Sequence, residues 1–503
     1  MIPTINRCVW LREDLRLLDH QGFLKAQESA QETPDQQSKI LALYIMTPET
    51  WRSHDRSAVQ IHLILSKLRE LSQALAKFHI PLKILNLKSF DEIPAALKKF
   101  CRHYGIQEIY ASKYYGYDEI RRDTLVQKAL NEIGVNVFFR HGFVVFKPTD
   151  ILKSDGTPYQ VFTPYKRAWI QKFLASQFFE AVQENVEKSE KIALKAQDFW
   201  ESSDPIPENL AGFEDKNLIH EKFVLSEKAL HQKLKKFLQA SVLHYQEDRD
   251  FPAKSMGTSQ LSPYLAQGMI SPKQILKALM LEYLEDSRGD FLKLLAKPGI
   301  ETFVGELIWR DFYQMVLYHF PRVSKHQPFK LKTKKIPWAS GAHAEKLFQA
   351  WCEGNTGFPI IDAAMRCLNQ TGFMHNRLRM ITAMFLSKLL LLDWRWGEAY
   401  FMKHLVDGEL GANNGGWQWC ASTGTDAVPY FRIFNPTAQS QKFDPEGVFI
   451  RQYLPELDQA VHQGLPLKNI HCPDLLARKK CGYPEPIIDY ASQRQKALKL
   501  FAV

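Results

Sequence analysis

Asn413-Asn414-Gly415-Gly416-Trp417-Gln418-Trp419 runs through Ala421-Ser422-Thr423-Gly424-Thr425-Asp426 to Tyr430-Phe431-Arg432-Ile433-Phe434-Asn435-Pro436, gathering amides, hydroxyls, paired glycines and indoles in one stretch. Glycines let a backbone approach a flat ligand, amides and hydroxyls can hold its edge, and indoles can stack on it or carry an electron. This set suits an aromatic redox cofactor. An aromatic-rich core turn would use the same residues.

Three other clusters have chemical potential. Glu306, Trp309, Arg310 and Tyr313 fall at i, i+3, i+4 and i+7, one stripe of a helix whose other positions are largely apolar. The stripe is either a working face or a solvated one with a Glu306 to Arg310 pair. In the segment 374–392, apolar nearly all round, Asn376, Arg377 and Arg379 crowd the first turn, and Asn376, Arg379 and Met380 share a face. Buried guanidinium needs an anion, which Asp407 or an anionic ligand would supply. Upstream, Tyr245 and Arg249-Asp250-Phe251-Pro252 precede Gly257-Thr258-Ser259-Gln260-Leu261-Ser262-Pro263, where hydroxyls and free amides ahead of a helix could cradle a pyrophosphate or simply cap the helix.

These residues need a scaffold of more than one core, because 503 residues exceed what a single core serves. Runs of β-branched and aromatic residues at 8–11, 40–45, 82–87, 108–111 and 135–139 alternate with helical segments such as 59–78, which predicts an α/β doubly wound parallel sheet over 1–145. No GxGxxG follows the first run, so a dinucleotide site there is unsupported. Prolines and mixed charge over 146–220 read as a surface linker. Beyond 221 the period is helical, with starts expected at Ser262-Pro263 and Ser271-Pro272, and seven of the eleven tryptophans lie at or beyond Trp309. The expectation for 221–503 is a larger all-α domain.

An excess of 65 Lys+Arg over 55 Asp+Glu gives +10, which suits a polyanion without requiring one. Seven scattered cysteines without a CxxC pair argue against a disulfide framework or a zinc site. There is no apolar signal region at the start and no membrane-length apolar run. The expectation is a cytoplasmic monomer without metal or membrane contact.

As a string, the 413–436 stretch resembles the flavin pocket of the photolyase/cryptochrome family, and the likeness runs from Val9-Trp10-Leu11-Arg12-Glu13-Asp14-Leu15-Arg16 to Leu454-Pro455-Glu456-Leu457. Asn413 is neutral, as in photolyases, and Gly372-Phe373-Met374-His375-Asn376-Arg377-Leu378-Arg379-Met380 is similar to the branch acting on cyclobutane pyrimidine dimers. The resemblance implies FAD held by Tyr245, Thr258, Ser259, Gln260, Leu261, Ser262, Phe303, Arg310, Asn376, Arg379, Asp407, Gly408, Glu409 and Asn413, with Phe303 standing where relatives often have tryptophan. It implies UV-damaged DNA as partner, met by Arg249, Glu306, Trp309, Arg310, Tyr313, Asn376, Arg377, Met380, Trp419 and Gln439. Glu306 would stabilise the dimer while an electron resides on it, Asn413 would face the flavin ring, and Trp338, Trp394 and Trp417 would form an electron relay. A second chromophore, 5,10-methenyltetrahydrofolate, is implied at Asp118, Glu119 and Lys325, where some relatives use a deazaflavin. The alternatives are a photosensory cryptochrome and a light-independent flavin oxidoreductase.

Overall fold

Short apolar runs become strands where both faces can be covered, and five do so here. β1 (Ile5–Leu11), β2 (Ser38–Met46), β3 (Leu82–Asn86), β4 (Ile106–Ser112) and β5 (Asn136–Arg140) form a parallel sheet in the order β3-β2-β1-β4-β5. Val9 pairs with Ala42 on one side and Tyr110 on the other. Leu41, Ala42 and Leu43 are fully buried, as near-continuous apolar strands between helical layers must be. The strand order reverses about β1, which creates a crevice beyond the carboxyl ends of β1 and β4. The computed structural model describes residues 5–31, 38–176, 197, 198, 200–215, 219–283 and 291–501.

The chain divides into two compact units, Met1–Ala240 with Gln260–Pro321, and Ser241–Ser259 with Arg322–Val503. These bounds differ from the expected 1–145, 146–220 and 221–503. Within 146–220 the helix Phe162–Ala175 buries Trp169 and Phe173 completely. Trp169 Nε1 donates to Asp311 at 3.0 Å, and the amides of Val145 and Phe146 donate to the same carboxylate. Burial raises the Asp311 pKa while these donors oppose the rise. Part of the expected linker is therefore core, held by a polar partner that lies far along the sequence. The first unit also contains the helix Pro298–His319.

The second unit is helical. Its core includes Trp351, Ile361, Leu386, Trp394, Trp417 and Leu457, and Trp338 packs against it. The single helix expected over 374–392 is instead an α-helix, Asn376–Met384, followed by a π-helical turn, Phe385–Leu389. Within that turn Lys388 is buried and donates to the carbonyls of Arg432 at 3.0 Å and Tyr430 at 3.5 Å. Among the described residues no helix is long and apolar enough to cross a membrane.

Candidate functional site

The stretch with most chemical potential lies on the helix Leu410–Cys420. Glu409 starts this helix, its carboxylate accepting from the amides of Gly411 at 2.8 Å and Ala412 at 2.9 Å. A negative charge at a helix N-terminus also complements the dipole. Glu409 also lines the cavity described below.

Asn413 is oriented by Nδ2, which donates to the backbone carbonyl of Glu398 at 3.0 Å. Its Oδ1 is left for a donor on a ligand. The buried Glu398 carboxylate accepts from Asn414 Nδ2 at 2.7 Å and lies 3.0 Å from His326 Nδ1. Gln418 extends the network, donating to Asn414 Oδ1 at 2.8 Å and accepting from the Phe329 amide at 2.8 Å. A buried carboxylate supplied with such donors is stable and fixes the helix register.

Asn376, Arg379, Met380, Asp407, Asn413 and Trp417 line one cavity together with Phe401, Gly408 and Gly416. Arg379 Nη2 donates to both oxygens of Asp407, at 2.8 and 3.0 Å, while its Nε donates to the Met374 carbonyl at 2.7 Å. The guanidinium is thus neutralised and fixed at the cavity wall. A Cβ on Gly416 would meet nothing, so this glycine keeps cavity space open. Trp417 Nε1 is buried with no hydrogen-bond partner. The donor set, flat apolar wall and fixed ion pair fit an isoalloxazine ring.

His375 caps the helix Asn376–Met384 by accepting from the Arg377 amide at Nδ1, 3.2 Å. Burial lowers its pKa to about 4; Asp250 opposes the shift, and Arg379, Arg377 and Arg249 add to it. The ring is therefore neutral, with its proton on Nε2, which is buried without a partner. Arg377 is paired with Asp250 and lies over the Phe443 ring, 4.4 Å from its centroid. Arg249 lies over Tyr245 at 5.4 Å. Trp419 is half-buried, and Gln439 Oε1 is buried without a partner.

In the segment expected to cradle a pyrophosphate, Gly257 lies so close to Asp248 that a Cβ would come within 2.8 Å of its carbonyl oxygen. Thr258 and Ser259 are half-buried, and Gln260 adopts a left-handed φ of 51°. Leu261, not Ser262, is the N-cap of the five-residue helix Ser262–Ala266, and no side chain caps it. The expected Ser271 cap is present, its Oγ accepting from the Gln274 amide at 3.0 Å.

On the helix Pro298–His319 the stripe Glu306, Trp309, Arg310 and Tyr313 is partly exposed between buried neighbours. Trp309 stacks on Phe162 at 3.6 Å and 7°, so one face of its indole is covered, and its ring centroid lies 5.4 Å from that of Tyr313. Phe303 is buried against Phe237. The Arg310 guanidinium donates to the Phe143 carbonyl and lies 3.7 Å over the Phe143 ring. These contacts fix the guanidinium within the first unit.

Asp118 and Glu119 occupy the first turn of the helix Tyr117–Asn131, and their carboxylates lie 3.2 and 3.8 Å from His54. They line different depressions: Asp118 one with Thr50, His54, Phe90 and Arg121, and Glu119 one with Trp10, Arg12, Tyr44 and Arg56 near the crevice beyond β1. Lys325 ends the 3-10 turn Val323–Lys325 in the second unit.

Trp394 and Trp417 are buried in one core, against which half-buried Trp338 packs. The ring neighbours of Trp417 are Phe401 at 5.0 Å and Trp351 at 6.1 Å. Sequence reasoning missed Glu398, His375 and Lys388. Gly397-Glu398 beside Trp394 and Trp396 was the one available signal for Glu398, and nothing local marks Lys388.

Residues 7–187 match the family model for DNA photolyase, and residues 303–503 match the model for the FAD binding domain of DNA photolyase. The chain is 40% identical to a deoxyribodipyrimidine photo-lyase of Escherichia coli over 98% of each chain. It is 33% identical to a mitochondrial deoxyribodipyrimidine photo-lyase of Saccharomyces cerevisiae over 98% of this chain and 85% of the other. Its fold superposes with a TM-score of 0.79 on the crystal structure of a bacterial class III photolyase from Agrobacterium tumefaciens, at 30% identity, over 100% of this chain and 98% of that one.

Proposed function

The chain belongs to the DNA photolyase family, and from that premise we propose that it repairs cyclobutane pyrimidine dimers in DNA under blue light. The observation that carries this reading is the cavity of the second unit, where the fixed Arg379–Asp407 pair, Asn413 and Trp417 line one space within the segment that matches the FAD-binding domain.

Bound and reduced, FAD supplies the electron that light sends to the dimer and that returns after the two inter-pyrimidine bonds break. The protein's residues bind and orient. Asn413 accepts from a ring N–H, held to that task by the Glu398 carbonyl. Arg379 and Asp407 keep the ring edge in a polar setting without adding net charge. Thr258, Ser259 and the following amides take the phosphates. The dimer is flipped out of the duplex, as enzymes acting on stacked bases require. Met380, Trp419 and Trp309 receive it, and Glu306 hydrogen-bonds its edge, stabilising negative charge on the dimer. Arg249, Arg377, Tyr313, Asn376 and Gln439 meet the strand. Trp417, Trp394 and Trp338 pass electrons inward when the cofactor is oxidised. Arg310, on the same stripe as Glu306, is proposed as a further cofactor and DNA contact.

For the second chromophore, methenyltetrahydrofolate is proposed at Asp118 and Glu119, because a carboxylate accepts two bonds from an amino-pyrimidine edge. A deazaflavin is the second reading, favoured by the aromatic and arginine lining beside Glu119 near the crevice of the sheet. Reconstitution with each chromophore, in wild type and Glu119→Ala, decides between them. We read the protein as a cytoplasmic monomer, which gel filtration tests for the oligomeric state.

A further inference from the structure

Trp338 packs among segments rich in basic residues. Its ring meets Phe501 edge-on at 5.5 Å, within a small apolar cluster that includes Ile336, Leu391, Ile433, Ala497 and Leu500. Three chain segments therefore converge on this indole. The first carries half-buried Lys330 and exposed Lys332, Lys334 and Lys335; the second carries exposed Arg432; the helix Tyr490–Leu500 carries exposed Lys496 and Lys499. Among the described residues none of these seven is in an ion pair with a carboxylate within 4.0 Å, although Asp426 acts on Lys330 at longer range. Beneath them Lys388 holds the Arg432 carbonyl at 3.0 Å. Its pKa is lowered to about 8, first by burial, and Lys330 and Arg432 contribute in the same direction. Like charges gathered without counter-charge oppose compaction, and they create a field that attracts anions.

We propose that this patch is the docking surface for a small anionic one-electron donor that refills Trp338. The proposal rests on the reading of Trp338 as the outer end of the relay. One electron passes from the docked anion to the oxidised indole, and the donor leaves oxidised by one electron. A proton that the indole N–H has given to water is taken back in the same step. The half-buried ring allows contact, and the lysines act on an approaching anion over about one Debye length, roughly 10 Å at 0.1 M salt.

The test is flash photolysis of the FAD-loaded protein, following decay of the tryptophanyl radical absorbance with ferrocyanide, a multiply charged anion, or with neutral hydroquinone. With ferrocyanide the second-order rate is expected to fall about tenfold between low and physiological salt, while hydroquinone stays flat. Lys334→Glu, Lys335→Glu and Lys499→Glu combined are expected to slow ferrocyanide about tenfold and leave hydroquinone unchanged; an unchanged far-UV spectrum checks the fold. Salt-independent ferrocyanide rates, or equal effects on both donors, overturn the docking surface. Trp338→Phe separates the two readings. If the radical still forms and ferrocyanide quenches it as before, Trp338 is not the exit and the proposal falls with the relay; if quenching is lost while charge reversal has no effect, the docking surface alone falls.

Discussion

The indole of Trp417 lies against the backbone of Gly397 so closely that a Cβ at 397 would fall among the Cη2, Cζ3 and Cζ2 atoms of its six-membered ring. Trp417 lines the flavin cavity, and Gly397 precedes Glu398, whose backbone carbonyl orients Asn413. The smallest residue in the chain thus sets the position of the largest one at the cavity wall.

Gly397→Ala is accordingly expected to push Trp417 into the cavity. Overpacking of this kind costs about 1–3 kcal/mol. The measurements are the denaturation midpoint and the flavin absorbance of the purified variant. A fall in both is expected, whereas a variant with normal flavin content would show that the wall can yield.

The Arg377–Asp250 pair gives two variants opposite signs. Arg377→Ala removes a phosphate contact, weakening duplex binding and lowering the magnitude of the salt slope by about one unit. Asp250→Ala frees the guanidinium and is expected to tighten binding severalfold at low salt, read by fluorescence anisotropy. Glu306→Ala, by contrast, is expected to lower the quantum yield of dimer splitting more than DNA affinity, because its carboxyl acts on the dimer after electron transfer. Normal yield with lost binding would refute that role.

For the relay, Trp338→Phe, Trp394→Phe and Trp417→Phe are each expected to slow photoreduction of the oxidised cofactor while repair by chemically reduced protein stays largely intact. Equal loss of both activities would mark these tryptophans as packing residues of their shared core.

His375 predicts a pH dependence of stability. Its pKa is about 4 in the folded protein and about 6.5 when exposed, so below 6.5 the unfolded chain takes up a proton that the folded one does not. Stability contributed by the neutral ring is present above 6.5, is lost as pH falls from 6.5 towards 4, and changes little below that. Relative to His375→Asn, wild type is expected to lose roughly 2 kcal/mol more between pH 7 and pH 4.5, measured by urea denaturation. Parallel profiles for the two proteins would contradict the assignment.

The sheet was legible in the sequence because its strands are buried on both faces, so apolar runs such as 40–45 mark them within a few residues of Ser38–Met46. The arginine–aspartate pair at the cavity was legible for a related reason, since a guanidinium on an apolar helix demands a partner and Asp407 was the one at hand. What escaped depended on partners far along the chain. Helix Phe162–Ala175 follows prolines and mixed charge, and its burial rests on Asp311 accepting from Trp169. The Arg310 guanidinium is held by the carbonyl and ring of Phe143, a partner 167 residues away that its own helix does not reveal. The π-helical turn at Phe385–Leu389 has no local signature; its buried Lys388 is satisfied by carbonyls more than forty residues away. Family resemblance named Glu409 as a cofactor residue; its second role as N-cap of the helix Leu410–Cys420 follows from its place just before that helix.

The central claim is light-driven repair, and its most direct test is an oligonucleotide carrying one defined cyclobutane thymine dimer, mixed with purified, chemically reduced, FAD-containing protein. Blue light is expected to restore the intact thymines, read by chromatography or by recovery of absorbance near 260 nm, with no product in darkness. FAD-loaded, reduced protein that binds this substrate yet leaves the dimer unsplit under illumination would contradict the account.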